Sequence, residues 1–89
     1  MMLRQRVTKY VQNVESALRE VQIIQTPRHL DEEKVESVVD LVRLYLKDTK
    51  FYEEKGKFET ALASVAYCEG LLDALRLLGF VEFSWKAER

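Results

Sequence analysis

The chain has 89 residues, 47 % of them hydrophobic and 33 % charged, with three glycines and one proline, which suffices for one modest core and excludes disordered and collagen-like classes. Fourteen basic against fifteen acidic residues leave a net charge of −1, so no whole-molecule field draws in nucleic acid or an anionic membrane. Cys68 is the single cysteine and has no partner for an internal disulfide, no charged leader with an apolar run opens the chain, and charges break every apolar run before the ~18 residues of a membrane span, so a cytoplasmic protein is expected.

From Leu3 onward the apolar residues Leu3, Val7, Tyr10, Val11, Val14, Leu18 and Val21 recur at threes and fours, the signature of one helical face. Pro27 denies Thr26 helical geometry, so the first helix is expected over about 3–25. Asp31 has the short carboxylate of an N-cap, followed by Glu32 and Glu33 at the positive end of the dipole, with Leu30 and Val35 spaced as a staple. Thr26 before Pro27 is a second candidate cap, one turn earlier.

The second helix is therefore expected over 31–55. Its stripe of Val35, Val38, Val39, Val42, Tyr45, Leu46, Thr49 and Tyr52 is widened by Leu41, Leu44 and Phe51, enough to meet two neighbours. Gly56 stands where a left-handed residue stops a helix, and Gly79 repeats that signal after a third helix over 58–78. The short junction at Gly56 forces an antiparallel hairpin, and the first helix folds back as the third member of an all-α, antiparallel three-helix bundle in one domain, 1–89. The tail, 80–89, alternates large apolar with small or polar residues. With no ladder to join, Phe80, Phe83 and Trp85 are expected as an extended strap over one end of the bundle, with Lys86 to Arg89 frayed.

On the third helix Ala66, Gly70 and Ala74 lie on one ridge with Ala63, Tyr67 and Leu77 beside it, while Ala61, Ser64, Cys68, Leu71, Leu72, Leu75 and Leu78 lie on another. Apolar or small residues so cover most of its circumference, and the helix is expected to be surrounded. A glycine inside a helix costs roughly 1 kcal/mol against alanine, a cost offset where a neighbour's backbone comes close. Ala63, Ala66, Gly70 and Ala74 are accordingly read as a helix-crossing interface. Its expected partner is helix one or two of the same chain, the alternative being a second subunit.

Glu69, Asp73 and Arg76 stack along one edge of the same helix as the chief polar window. Asp73 and Arg76 can pair at i, i+3, whereas Glu69 and Asp73 repel at i, i+4 unless Arg76 or a cation intervenes. Two carboxylates one turn apart can share a hard cation, but no second carboxylate pair or Glu-x-x-His accompanies them, so an ion-paired edge is the plainer reading and no metal or cofactor is expected. His29 is read as a surface loop residue. Cys68 reads as a buried structural thiol. No phosphate loop, nucleophile elbow or zinc-protease motif occurs, so no catalysis is expected. Lys47, Lys50, Lys55 and Lys57 gather near the hairpin tip with Phe51, Tyr52 and Phe58, a basic and aromatic patch of the kind that tracks a nucleic-acid backbone. Asp48, Glu53 and Glu54 dilute it.

The run Gly56, Lys57, Phe58, Glu59, Thr60, Ala61, Leu62 is similar to the turn inside a tetratricopeptide unit, although a single unit implies no solenoid. More specifically, Tyr52 to Trp85 resembles domain-of-unknown-function family three-five-seven, through Gly56, Ala61, Leu62, Ala66, Tyr67, Gly70, Leu71, Leu72, Asp73, Ala74, Leu75, Arg76, Leu77 and Gly79. The first helix matches more loosely. The resemblance implies an archaeal, cytoplasmic helical bundle and supplies no catalytic residues. Similar segments attached to nucleotidyltransferase-like domains imply an accessory role as an alternative, since the catalytic motifs of such enzymes are absent. The combined expectation is a protein-interaction or oligomerisation module, a homo-oligomer included, with an accessory nucleic-acid-binding domain as the alternative.

Overall fold

A computed structural model describes residues 2–24 and 29–85. Three helices, α1 (Leu3–Glu20), α2 (His29–Glu54) and α3 (Phe58–Leu77), are joined at one end by a two-stranded antiparallel ladder of β1 (Gln22–Ile23) and β2 (Val81–Glu82). The hairpin of α2 and α3 is the main packing unit, and α1 lies across it in the direction of α3. The bundle expected from the sequence is present.

The core is one cluster drawn from all three helices: Val7, Val11, Val14 and Ala17 from α1, Val35, Val39, Val42 and Leu46 from α2, and Ala61, Val65, Cys68, Leu72 and Leu75 from α3. Both glycine stops hold. At Gly56 (φ +75°) the amide of Gly56 donates to the Glu53 carbonyl at 3.1 Å and that of Lys57 to Tyr52 at 2.9 Å, the paired bonds of a Schellman turn. Gly79 (φ +82°) repeats it, with Gly79 donating to Arg76 at 3.0 Å and Phe80 to Leu75 at 2.9 Å.

Three expectations need correction. Helix one ends at Glu20, not near Gln25, because Val21 turns extended (φ −59°, ψ 130°) and the β-branched Ile23 finds a strand to pair with. The tail does have a ladder: Gln22 pairs with Glu82 and Ile23 with Val81, and the Ile24 amide donates to the Phe80 carbonyl at 2.9 Å. This places Val81 and Phe83 in the core and sets Phe83 edge-on to Trp85, with centroids 4.9 Å apart. Helix two begins at His29, so Asp31 lies inside it and is no N-cap, and His29 opens a helix and not a loop. The alternative cap at Thr26 and the expected fraying of Lys86 to Arg89 lie outside the described residues.

Candidate functional site

The intrachain crossing between α2 and α3 uses the ridge of Ala61, Ser64, Val65 and Cys68. Ser64 Oγ donates to the Tyr45 carbonyl at 3.0 Å and Cys68 Sγ to the Val42 carbonyl at 3.5 Å, so short side chains on α3 reach the backbone of α2. Close approach is therefore real, and it occurs one ridge away from the row read as the interface. Burial pushes the Cys68 thiol up to about 11, with the neighbouring charges of Asp48 and Glu69 adding to the effect. A protonated thiol enclosed by the core is a structural residue.

The other row turns outward. Ala63, Ala66, Gly70 and Ala74 are all exposed, and a Cβ placed on Gly70 would meet nothing within 4 Å. The expected crossing by helix one or two of the same chain is thus absent, and helix three is not surrounded. The physical reason is geometric: two neighbouring helices cover only about half of a third helix's circumference, and here they cover the half carrying Cys68 and Leu72. What remains is a face on which Tyr67 is 46 % exposed, Leu77 73 % and Leu78 69 %. Glu69, Asp73 and Arg76 border this row along one edge, the Asp73 and Arg76 side chains 24 % and 37 % exposed and paired with each other, and the exposed Glu59 lies one turn before Ala63 on the same ridge. Tyr67 meets Tyr45 of α2 edge-on, with ring centroids 4.8 Å apart.

The polar window is an ion-paired edge. Asp73 Oδ1 accepts from Arg76 at 3.1 Å and from the Trp85 indole at 3.2 Å, so its carboxylate ties the tail to α3. Glu69 is held in the same half-buried strip. No group of three or more His, Cys, Asp or Glu residues able to hold a metal occurs among the described residues. The basic patch is not brought together as a field: Lys50 pairs with Glu15 of α1 and the Lys55 ammonium lies 5.5 Å above the Phe51 ring, while Lys47 and Lys57 are exposed. The sequence reading passed over Asn13, 5 % exposed with no partner for Nδ2, which borders the apolar stripe of α1. Its signal was a polar residue immediately before Val14, in a run of two polar residues between Val11 and Val14.

No helix is long and apolar enough to cross a membrane among the described residues. Three helices tied by a short ladder, with a row of small and apolar residues of α3 left open, define a small helical domain. The sequence profile of the family described as "Protein of unknown function (DUF357)" matches residues 9–81, and the chain belongs to that family. The match takes in most of α1 and β1 as well as the hairpin. No curated protein and no solved structure matches it.

Proposed function

We propose that this chain is an association module without catalytic activity of its own, acting through the outer face of α3. The observation that supports this reading is the exposed row of Ala63, Ala66, Gly70 and Ala74 on α3, next to Tyr67, Leu77 and Leu78 standing in solvent. Soluble monomers rarely expose contiguous apolar patches beyond a few hundred Å² unless they are used. The other outward faces obey the usual rule, with Arg4 and Arg19 on α1 and Glu36, Asp40, Arg43 and Lys47 on α2.

A photo-crosslinking residue placed at Ala66, on the face, and at Gln12, on the outer side of α1, tests this in the producing cell. A discrete adduct from Ala66 and none from Gln12 is expected. Equal labelling from both positions, or none from Ala66, removes the reading.

A further inference from the structure

We infer that α1 is a lid: it releases from the α2–α3 hairpin as one unit, swinging about Val21, and the buried Asn13 sets how readily it opens. It does so whatever the outer face of α3 binds. Two polar residues are enclosed among the described ones, Asn13 at 5 % exposed and Thr49 at 0 %. Thr49 Oγ1 donates to the Tyr45 carbonyl at 2.9 Å, whereas Nδ2 of Asn13 has no partner among the described residues. An enclosed amide that gives up water and finds no acceptor penalises the packed state, by roughly ten- to a hundredfold in an opening equilibrium.

The penalty falls on the seam between α1 and α3. Thr8 Oγ1 donates to Glu53 Oε2 at 2.9 Å and Lys50 pairs with Glu15, which fixes the edge of α1 carrying Thr8 and Glu15 against α2. Asn13 stands about 150° around the helix from that edge. It shares its side with Ala17, 1 % exposed, and α3 is the other helix on which α1 packs. When α1 lifts, Nδ2 regains water, and closing removes it again.

The two interfaces are built differently. The hairpin brings Leu46, Leu72 and Leu75 into the core and ties its helices by bonds from the Ser64 hydroxyl and the Cys68 thiol to α2 carbonyls. On α1 the enclosed apolar residues are Val7, Val11, Val14 and Ala17, smaller side chains that bury less surface each. Its polar ties to α2 are exposed, where such pairs add little. Opening breaks the lighter set alone. The hinge follows from the ladder: Val21 is extended (φ −59°, ψ 130°), and beyond it β1 lies against α2 while β2 lies against α3, with the Trp85 indole bonded to Asp73. The ladder therefore stays on the hairpin when α1 leaves. A released α1 remains tethered beside Val42, Val65 and Leu72, which it helps to enclose.

Native-state hydrogen exchange of the full chain, followed by NMR at rising sub-denaturing urea on wild type, Asn13→Leu and Asn13→Val, tests this. In wild type the amides of Val11, Val14 and Ala17 are expected to exchange through an opening roughly tenfold or more populated than the one that frees the amides of Val42, Val65 and Leu72. Its urea dependence is expected to be weaker, because less surface is bared. The Ile24 amide, bonded to the Phe80 carbonyl, is expected to exchange more slowly than those of α1. Leucine keeps the branched outline of asparagine without its amide, and valine does so with less bulk; at least one of the two is expected to raise the protection of the α1 amides roughly tenfold or more. One common opening for all three helices overturns the lid, and an Ile24 amide that exchanges together with α1 overturns the hinge. Protection of α1 unchanged or lowered in both variants overturns the role of Asn13.

Discussion

Leu72 and Leu77 lie five residues apart on α3, yet one is fully enclosed and the other 73 % exposed. Leu72→Ala is expected to cost about 2–5 kcal/mol, transfer plus cavity, and Leu77→Ala to stay within about 0.5 kcal/mol in the dilute monomer; urea titration of both variants measures the contrast. Cys68 supplies a pH signature. Its thiol holds its proton up to about 11 when folded and loses it from the ordinary value of 9.0 when unfolded. Between those values the native state binds more protons, so this contribution is fully present below pH 9 and declines as pH rises toward 11. Denaturation midpoints at pH 8, 9, 10 and 11 are expected to fall more steeply for wild type than for Cys68→Ala. Parallel curves would show that the thiol is not desolvated. Cys68 as a buried residue was legible from its place on an apolar ridge, whereas the Tyr45 and Val42 carbonyls it and Ser64 approach were not, because a hydrogen bond to another helix has no local spacing.

At the scale of elements, the three glycines separate by backbone conformation. Gly56 and Gly79 have positive φ, so alanine there costs about 1–2 kcal/mol. Gly70 sits in regular helix with open space around it, so Gly70→Ala is expected to add about 1 kcal/mol to the monomer. Thermal melts at low concentration should therefore move in opposite directions, and a Gly70→Ala variant that melts lower would mean a neighbour already fills that space. Both stops were readable because left-handed caps are local chemistry. The ladder was not: two-residue strands whose paired residues Ile23 and Val81 lie 58 positions apart in the chain carry their pairing in tertiary proximity alone. The alternation in the tail was visible, and its partner was hidden inside what read as the end of helix one. Phe83→Ala, removing a side chain 8 % exposed, is expected to cost about 3–5 kcal/mol. A loss under 1 kcal/mol in urea titration would mean that the tail is only loosely attached.

For the whole molecule, an association that involves only the native state makes stability rise with concentration by mass action. For self-association through the α3 face, the melting temperature of the wild type is expected to fall over a hundredfold dilution, whereas that of Ala66→Glu stays flat. Added salt should leave the wild-type series nearly unchanged, because the row through Gly70 is apolar, the partly exposed Asp73 and Arg76 at its edge already pair with each other, and screening acts on charges. A series that flattens as salt is raised would point to the lysines of the hairpin tip instead.

Helical periodicity, the two left-handed stops and the unbroken apolar content of α3 follow from residue types at fixed offsets, so the chain order of three helices and the antiparallel hairpin were settled by the sequence itself. Which side of α3 faces inward was settled only by packing. Both of its ridges are apolar and narrow enough to accept a neighbour, and spacing along one helix cannot rank them. The ridge of Ala61, Ser64 and Cys68 was buried because its hydroxyl and thiol satisfy themselves on α2 carbonyls, leaving the row through Gly70 on the outside.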